Sequence, residues 1–362
     1  MARVALLVAR LRARLRTGLR AVLVFELRGH FLQTSELVSP LKRANNLLDF
    51  RHLKYNKDSM SNSNRVHKFL TDELTVRASG VVATQVVEEM RSIQNSYPLG
   101  TVATGRALIG SLLMASHLKE GQQLSLYFQG NGPLGRVFAE ANFEGQVRGY
   151  ASNNQYNTPP TGDNLHVGAA IGIGLLTVTH HLPNSEVPHR GTVIIHTGEI
   201  GDDIAYYLQQ SHQIPSVVAL GVHLNEYGRV VAAGGVLIEL MPGHSEETIA
   251  KIEKRVREAP SISKRILEGA KAEDLVRDYL QDFKLIELDH PYKTTYHCKC
   301  SYDRVLHSVQ LLGLPEIDKI LEEQAAGHAP LEVSCEFCGR RYEIINEDLA
   351  GLRAEMFKHS LN

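Results

Sequence analysis

All four cysteines of this 362-residue chain lie in its last quarter, in two close pairs separated by 34 residues. They are Cys298, Cys300, Cys335 and Cys338. Each pair can occupy one edge of a tetrahedron, so the spacing is typical of a four-thiolate site for one zinc ion per chain. Gly339, directly after the second pair, suits the tight turn of a zinc knuckle. The sequence therefore predicts that these four thiols are metal ligands.

A disulfide framework is the alternative, but such frameworks are typical of short secreted chains that cannot build a hydrophobic core. A chain of this length can build one, which favours the metal, and free thiols at metal spacing predict a reducing, cytoplasmic location. Most four-thiolate sites only stabilise a fold. A sensor is the second interpretation, because oxidants attack the same thiolates: disulfides would form, zinc would leave, and its folding energy would be lost.

The charge of the chain is unevenly distributed. The formal net charge is -1, but residues 1–59 hold 12 of the 39 basic residues and 4 of the 40 acidic ones. The remainder therefore has 27 basic and 36 acidic residues, which argues against a nucleic-acid partner. No run of 18 apolar residues occurs, so we expect no membrane span.

The first 59 residues differ in composition from the rest. Residues 1–30 contain seven arginines and one acid, with leucines at 11, 15, 19 and 23 on one helical face. Three interpretations stay open: an organelle transit peptide, a membrane-surface helix, or a mis-assigned start with translation beginning at Met60. The third is preferred, because the composition changes at Met60.

Residues 60–243 have the pattern of an α+β domain. Helical spacing covers 81–95, 101–118 and 202–211, and strand patterns cover 124–129, 146–150, 175–178, 193–196, 217–222 and 230–239. Residues 130–135 match G-x-G-x-x-G, but a strand follows instead of a helix, so dinucleotide binding is not expected. Gly105 and Gly110 have P-loop spacing without the essential lysine.

No catalytic motif appears in the chain. His180, His181, His196 and Glu199 lie at a strand end and in a turn, without a third ligand at a known metal spacing, so ordinary polar positions are the expectation. The G-x-S-x-G and H-E-x-x-H patterns are absent from the sequence. We therefore predict that the protein is not an enzyme.

Residues 244–290 form a charged helical linker in this interpretation. From 246 to 287 there are 10 acidic and 9 basic residues among 42, and Glu247–Lys251, Glu253–Arg257 and Glu273–Arg277 are favourable i,i+4 pairs. Such narrow amphipathic helices are marginal alone and need a surface on which to fold. The linker is thus either a solvated connection or a switch that exposes a binding surface when its neighbours release it.

Residues 291–362 form the predicted four-cysteine zinc module. Two short helices at 302–311 and 314–323, a strand at 331–333 and a partner strand at 342–345 are expected around the two cysteine pairs. His297 and His307 are additional side chains able to bind a metal, but four thiolates already satisfy zinc.

Several stretches of the chain together identify a family. They are QGNGPL at 129–134, GEIGDDI at 198–204 with YL at 207–208, IPS at 214–216, LGV at 220–222, GG at 234–235, MPG at 241–243, CKCS at 298–301 and CEFCG at 335–339. With these motifs, residues 65–352 resemble the thirty-three-kilodalton heat-shock protein family of redox-regulated holdase chaperones. The resemblance does not extend to the residues before Met60.

The resemblance implies a switch. In that family the reduced protein holds zinc through the four cysteines and is inactive; oxidation by peroxide with heat, or by hypochlorous acid, makes the disulfides that correspond here to Cys298–Cys300 and Cys335–Cys338. Zinc then leaves, the C-terminal module unfolds and the linker loses its docking. The activated protein dimerises and holds unfolding client proteins without ATP.

Some positions depart from the family pattern. The segment between Cys300 and Cys335 is a few residues longer, near 325–330, and His212, Glu239 and Ile173 stand where the family favours an acid, Gln and Lys. None of these departures is a thiol position, so they affect only the expected client surface. A zinc-stapled interaction or regulatory protein without chaperone activity is the alternative function, and an enzyme on the N-terminal sheet is a third.

Overall fold

The computed structural model describes residues 64–156, 165–183, 185, 187–288 and 292–360. The predicted extension of residues 1–59 and the preferred start at Met60 lie outside the described residues. The architecture of the described part is α+β, as the sequence predicts. It contains two six-stranded sheets, a two-stranded hairpin and packed helices.

The elements are numbered here along the chain. The strands are β1 (Arg65–Thr71), β2 (Val76–Val82), β3 (Gln123–Gly130), β4 (Arg136–Asn142), β5 (Gln146–Ala151), β6 (Gly174–His181), β7 (His189–Ile194), β8 (Ser216–Leu224), β9 (Val230–Leu240), β10 (Leu285–Glu287), β11 (Tyr292–Lys293), β12 (Thr295–Tyr296), β13 (Leu331–Ser334) and β14 (Arg341–Ile344). The α-helices are α1 (Thr84–Gln94), α2 (Pro98–Ala115), α3 (Val167–Ile171), α4 (Gly201–Tyr207), α5 (Glu246–Glu258), α6 (Ile262–Leu267), α7 (Ala272–Leu280), α8 (Tyr302–Gln310), α9 (Leu314–Ala325) and α10 (Asn346–Ser360).

Two large sheets form the body of the protein. The first has the order β10-β1-β2-β9-β8, with β11 also paired to β1, and the second has the order β12-β5-β4-β3-β6-β7. All pairs are antiparallel except β12 with β5, which is parallel. Strands from the linker end of the chain therefore extend both sheets: β10 and β11 join the first, and β12 joins the second.

Helix α2 lies between the two sheets. It packs on β8 and β9 of the first sheet and on β3, β4 and β5 of the second. Sixteen of its eighteen residues are buried, because its apolar and small side chains cover the whole circumference and not one stripe. Among the described residues it is the one helix with the length and mean hydropathy of a membrane span, yet 89% of that window is buried inside the protein. Helix α2 is therefore buried in the same way as the core helix of a globular protein.

The linker helices cover the opposite face of the first sheet. Helices α6 and α7 pack on this sheet, α6 against β8 and β9 and α7 against β1, β2 and β9, while α5 packs on α7. A separate hydrophobic cluster joins the two layers: Phe69, Val76, Ala78, Ala219, Val236 and Ile238 from the sheet, with Ile252, Ile262, Leu275, Val276, Tyr279 and Leu280 from the helices. The predicted marginal helices therefore have the docking surface that they need.

The C-terminal residues have a small core of their own. Val305, Val309, Ile317, Ile344 and Leu349 form a cluster contributed by α8, α9, β14 and α10. The predicted helices and hairpin are thus present, with bounds shifted by one to two residues. Helices α3 and α10 and strands β1, β2, β10, β11 and β12 were not predicted. The helix expected from residue 81 begins at Thr84, because Val81 and Val82 belong to β2.

Helix α4 ends in an irregular turn. The predicted helix over 202–211 begins at Gly201, and its last turn, Leu208–His212, has π-helical hydrogen bonding. Asp203 is fully buried at the start of α4 and accepts hydrogen bonds from the backbone N–H groups of His196, Thr197 and Ile200. These bonds hold Ile200 at φ +68° and fix the loop before the helix.

Candidate metal centre

The first cysteine pair emerges at the edge of the second sheet. Strand β12 pairs with β5 through Thr295 and Tyr296, and the next backbone N–H, that of His297, donates to the carbonyl of Val147 at 2.9 Å. This pairing fixes the direction of the chain immediately before Cys298. Sheet formation by the body of the protein therefore positions Cys298 and Cys300.

The second pair occupies the turn between β13 and β14. The N–H of Cys335 donates to the carbonyl of Arg340 at 2.9 Å, and the N–H of Gly339 donates to the carbonyl of Cys335 at 2.8 Å. Gly339 has φ +65°, a left-handed conformation that glycine adopts without steric cost. The predicted tight turn at Gly339 is confirmed, and both sulfurs of the pair belong to one cluster of four.

The four sulfur atoms meet between these two segments. All four lie within 4.8 Å of one another. The Sγ atoms of Cys298 and Cys335 are 3.6 Å apart, and those of Cys300 and Cys338 are 3.3 Å apart. Zinc–sulfur bonds of about 2.3 Å give a tetrahedron with edges of about 3.8 Å, so the arrangement fits this ion closely. His297 and His307 are not part of the cluster.

The thiols do not ionise independently. Burial raises the pKa of Cys298 to about 12, and burial also raises the pKa of Cys338. Burial opposes ionisation of Cys300 as well, but the hydroxyl of Tyr342 donates a hydrogen bond to its sulfur at 3.1 Å and, with the neighbouring thiols, lowers its pKa to about 7. One thiolate is therefore tolerated by the protein alone, and four thiolates require a cation.

Phe337, between the two cysteines of the second pair, contacts the outer face of the second sheet. Its ring makes edge-to-face contacts with Phe138 and Tyr150 at centroid distances of 5.8 and 5.1 Å, and the guanidinium of Arg148 lies 4.3 Å from its centroid. These residues were not predicted from the sequence. The one sequence signal for this contact is the aromatic residue between the two cysteines of the second pair.

The backbone of the same residue is also fixed. The hydroxyl of Tyr296 donates to the carbonyl of Phe337 at 2.6 Å, and the side-chain amide of Gln94 donates to it at 2.9 Å. Tyr296 is buried, and burial raises its pKa. The knuckle that carries Cys335 and Cys338 is thus held by β12 and α1 as well as by the sheet.

The histidines that the sequence analysis set aside have other contacts. The ring of His196 stacks on Tyr206 at 5.4 Å, and Glu199 pairs with Arg106 at 2.5 Å. His180 is half-buried and its ring lies 6.1 Å from that of His212. His180, His196 and Glu199 do not belong to any group of potential metal ligands among the described residues.

The three departures from the family pattern lie away from the sulfur atoms. His212 contacts the hydroxyl of Tyr207 through Nε2 at 3.1 Å, and Ile173 is exposed. Glu239 is buried and accepts two hydrogen bonds from Arg77, at 2.9 and 2.8 Å. Nothing in the structure explains the isoleucine at 173.

Known proteins resemble this chain over almost all of the described part. A sequence model of the Hsp33 protein family matches residues 64–345. The 33 kDa chaperonin of Geobacter sulfurreducens is 37% identical over 287 residues, covering 79% of this chain and 93% of its own length. A 33 kDa chaperonin of a Synechococcus strain is 39% identical over 285 residues, covering 78% and 87%.

A solved structure has the same fold. The crystal structure of the 33 kDa chaperonin (heat shock protein 33 homolog) of Thermotoga maritima superimposes with a TM-score of 0.73 at 30% identity, covering 82% of this chain and 99% of that one. The match of the family model spans both large sheets, the linker helices and the four converging cysteines. The chain therefore belongs to the Hsp33 protein family.

Proposed function

We propose that this protein is a redox-regulated, ATP-independent holdase chaperone of the cytoplasm. Its reduced form holds one zinc ion through Cys298, Cys300, Cys335 and Cys338 and is inactive. The convergence of four thiols from two distant segments is the observation that carries the proposal. The names of the relatives support a chaperone and not an enzyme.

The bound ion supplies folding energy to the module. A structural zinc site contributes about 10–16 kcal/mol, which is as large as the net stability of about 5–15 kcal/mol typical of a whole domain. The C-terminal core rests on five buried side chains, so it depends on sulfur ligation. Loss of that ligation unfolds the module.

Oxidation removes the ligands. One molecule of peroxide takes two electrons from the two thiolates of a cysteine pair and leaves as two hydroxide ions, which take up protons from the solvent, while one S–S bond forms and zinc loses two ligands. We assign the bonds Cys298–Cys300 and Cys335–Cys338 to the oxidised state. Each pair is close in sequence, so each disulfide forms within one segment and separates the two segments that the metal had joined.

Unfolding of the module also releases the linker helices, because the two are connected through short strands. Strands β10, β11 and β12 lead directly from the linker helices to Cys298, and they hold both large sheets at their edges. Release of the module removes the anchor at the end of this path. Undocking of α5–α7 then uncovers the apolar face of the first sheet, which binds unfolding client proteins, and the activated form dimerises.

Aggregation of citrate synthase tests the proposal. The reduced, zinc-loaded protein should leave aggregation unchanged, and protein treated with peroxide at raised temperature should suppress it. Zinc stoichiometry and thiol titration in the two states should give one ion with four thiols, and then no ion with none. Equal activity in both states contradicts the switch.

The alternative, a zinc-stapled interaction protein, predicts a different response. Its oxidised form would keep residues 246–350 protected from hydrogen exchange and would not bind unfolded clients. The switch predicts loss of protection across the linker helices and the module, with the N-terminal sheets still protected. Sedimentation of the oxidised protein measures the predicted dimer.

A further inference from the structure

A second group of potential metal ligands lies where the linker meets the first sheet. His67 in β1, Glu273 in α7 and Glu287 in β10 offer three ligand atoms that all lie within 4.8 Å of one another. The Nδ1 atom of His67 is 2.8 Å from a carboxylate oxygen of Glu287 and 3.3 Å from one of Glu273. No sequence pattern reveals this group, because His67 lies more than 200 residues before both glutamates.

The close packing of helix α7 on the sheet brings the three side chains together. His67 pairs with Gly80 of β2, and a Cβ at Gly80 would lie 2.7 Å from the carbonyl oxygen of Ala272. Glycine therefore lets the start of α7 approach the sheet beside His67, with Glu273 in the first helical turn. Glu287 arrives from the other side, since it pairs with Phe69, two residues along β1.

Charge in the group is unbalanced without a cation. A single ring nitrogen faces two carboxylates, and its one hydrogen can be donated along only one direction. In the described part of the chain, His67 is the only ion-pair partner of either carboxylate. A divalent cation would accept the lone pair of Nδ1 and one oxygen from each glutamate, so it would satisfy all three groups together.

The three side chains differ in solvent exposure, from a buried nitrogen ligand to a carboxylate that reaches the surface. The side chain of His67 is 5% exposed, that of Glu273 28% and that of Glu287 45%. The nitrogen ligand is thus fixed in the interior, and the outer carboxylate leaves a path for an ion and for water ligands. The separations of 2.8 and 3.3 Å match those between neighbouring ligands at about 2.1 Å from one ion.

We propose that His67, Glu273 and Glu287 bind a first-row divalent cation, with Zn²⁺ as a suitable ion. One imidazole and two carboxylates form a set that suits zinc, manganese or iron and differs from the four-thiolate site. The ion ties β1, the start of α7 and β10 to one another. Because it binds only the docked linker, it stabilises the docked state in proportion to the logarithm of its free concentration.

Equilibrium dialysis against Zn²⁺ tests the site. The full-length reduced protein, with its four thiols already saturated, should take up a second zinc equivalent of lower affinity. Glu273→Gln and Glu287→Gln should each lose that equivalent, while Glu226→Gln, at an exposed position in the turn between β8 and β9, should retain it. Thiol titration measures the four-thiol site separately. Failure of the proposed second cation site is therefore distinguishable from failure of the proposed zinc switch.

Hydrogen exchange provides a second measurement. Occupancy of the site should slow exchange across residues 272–287 in the parent protein and leave it unchanged in Glu287→Gln, a substitution at a surface position that preserves the fold. A stoichiometry that stays at one overturns the proposal and leaves an ion pair only. A second equivalent that survives both glutamine substitutions also overturns it.

Discussion

The ring of Phe337 lies 5.1 Å from the ring of Tyr150 in an edge-to-face contact, and this contact joins the second cysteine pair to β5 of the second sheet. Phe337 has Cys335 two residues before it and Cys338 directly after it, so the ring cannot keep its position if the knuckle rearranges. Rearrangement of Cys335 and Cys338 therefore acts directly on the surface between the module and the sheet.

Phe337→Ala should loosen the module without removing a ligand. Two edge-to-face contacts, each worth about 0.5–1.5 kcal/mol beyond area burial, and one cation–π contact are lost. We expect the four-thiol site to keep its one zinc ion, hydrogen exchange to rise at residues 331–344, and peroxide activation to become faster.

Tyr227→Ala is the matched control for that variant, because Tyr227 is an aromatic residue 79% exposed in a turn of the first sheet. It should activate at the parent rate. An unchanged activation rate in Phe337→Ala would show that the aromatic contact does not hold the module.

Tyr342→Phe should raise the pKa of Cys300 in the metal-free reduced protein. The tyrosine hydroxyl donates to the sulfur of Cys300 and favours its thiolate, whose pKa is about 7. Without this donor, less thiolate forms at neutral pH, and the thiolate absorbance near 240 nm should appear at higher pH. Tyr302→Phe is the control, because the hydroxyl of Tyr302 donates to Asp348 and not to a sulfur. Identical titrations in all three proteins would contradict the assignment.

His180 makes the protein sensitive to mild acid. Burial, and then the charges of His212, His189 and His181, lower its pKa below 6.5, and Nε2 is buried without a partner among the described residues. The unfolded chain therefore binds the proton first, so stability is fully present above pH 6.5 and falls as the pH drops toward the folded pKa. The slope is at most about 1.4 kcal/mol per pH unit, and less where water screens the ring.

His180→Leu should flatten that dependence. Urea unfolding at pH values from neutral down to 5 measures it, with His244→Leu as the control, since Nδ1 of His244 already contacts the carbonyl of Met241 at 2.7 Å. A parent protein whose stability does not change between neutral pH and pH 5 would contradict the prediction.

Local pattern was sufficient for some parts of this fold. The continuous apolar run of α2 predicts a buried helix, and the spacing of the cysteines predicts four converging thiols, because both signals are contained in short stretches. The largely apolar stretch 230–239 predicts a strand, which the structure has as β9. Family membership was likewise readable from short motifs.

Other parts depend on partners far along the chain. Strand β1 pairs with the neighbouring strand β2 on one edge, but its other edge is covered by β10, through the pairing of Phe69 with Glu287, and no local pattern encodes that second pairing. The docking of Phe337 on Tyr150 and Phe138 requires two segments that meet only after the second sheet has formed. Glu273, which the linker pattern pairs with Arg277, and Glu287, to which no pattern gives a role, likewise meet His67 only through tertiary contacts.

Glu239→Ala should destabilise the N-terminal part by about 3–5 kcal/mol, the cost of breaking a buried ion pair. The carboxylate is 4% exposed, pairs with Arg77 across β2 and β9, and lies 3.2 Å from Nε2 of His117. Burial opposes its ionisation, but hydrogen bonds with His117 and Arg77 lower its pKa. Its contribution is therefore present above pH 4.5 and lost as the pH falls through the folded pKa.

Glu239→Gln separates charge from shape at the same position. The glutamine side chain keeps one oxygen that accepts from Arg77, but its NH₂ group faces the N–H donors of Arg77 and His117. We therefore expect a smaller loss of stability than for alanine. Guanidinium unfolding of the zinc-loaded protein measures both variants. A glutamine variant as stable as the parent would show that the carboxylate charge contributes nothing.

Gly80→Val should release the linker without an oxidant. A Cβ at this position would lie 2.7 Å from the carbonyl oxygen of Ala272 and 2.7 Å from a methyl group of Val276. The side chain of Val276 can move, but the carbonyl belongs to the helix backbone, so α7 must shift as a unit. Valine suits a strand, and the sheet itself should persist. Overpacking of this kind costs about 1–3 kcal/mol, a large fraction of what holds a marginal helix on its surface.

The expected result is partial chaperone activity in the reduced, zinc-loaded state, with raised hydrogen exchange at residues 272–280 and one zinc ion retained. Gly80→Ala should give the same changes to a smaller extent, because alanine requires a smaller displacement. Gly351→Ala in α10 is the control, since a Cβ there meets no atom within 4 Å. If the valine variant undocks α7 and still requires peroxide for activity, then the face beneath the linker is not the client-binding surface, and the switch must act through the cysteine module itself.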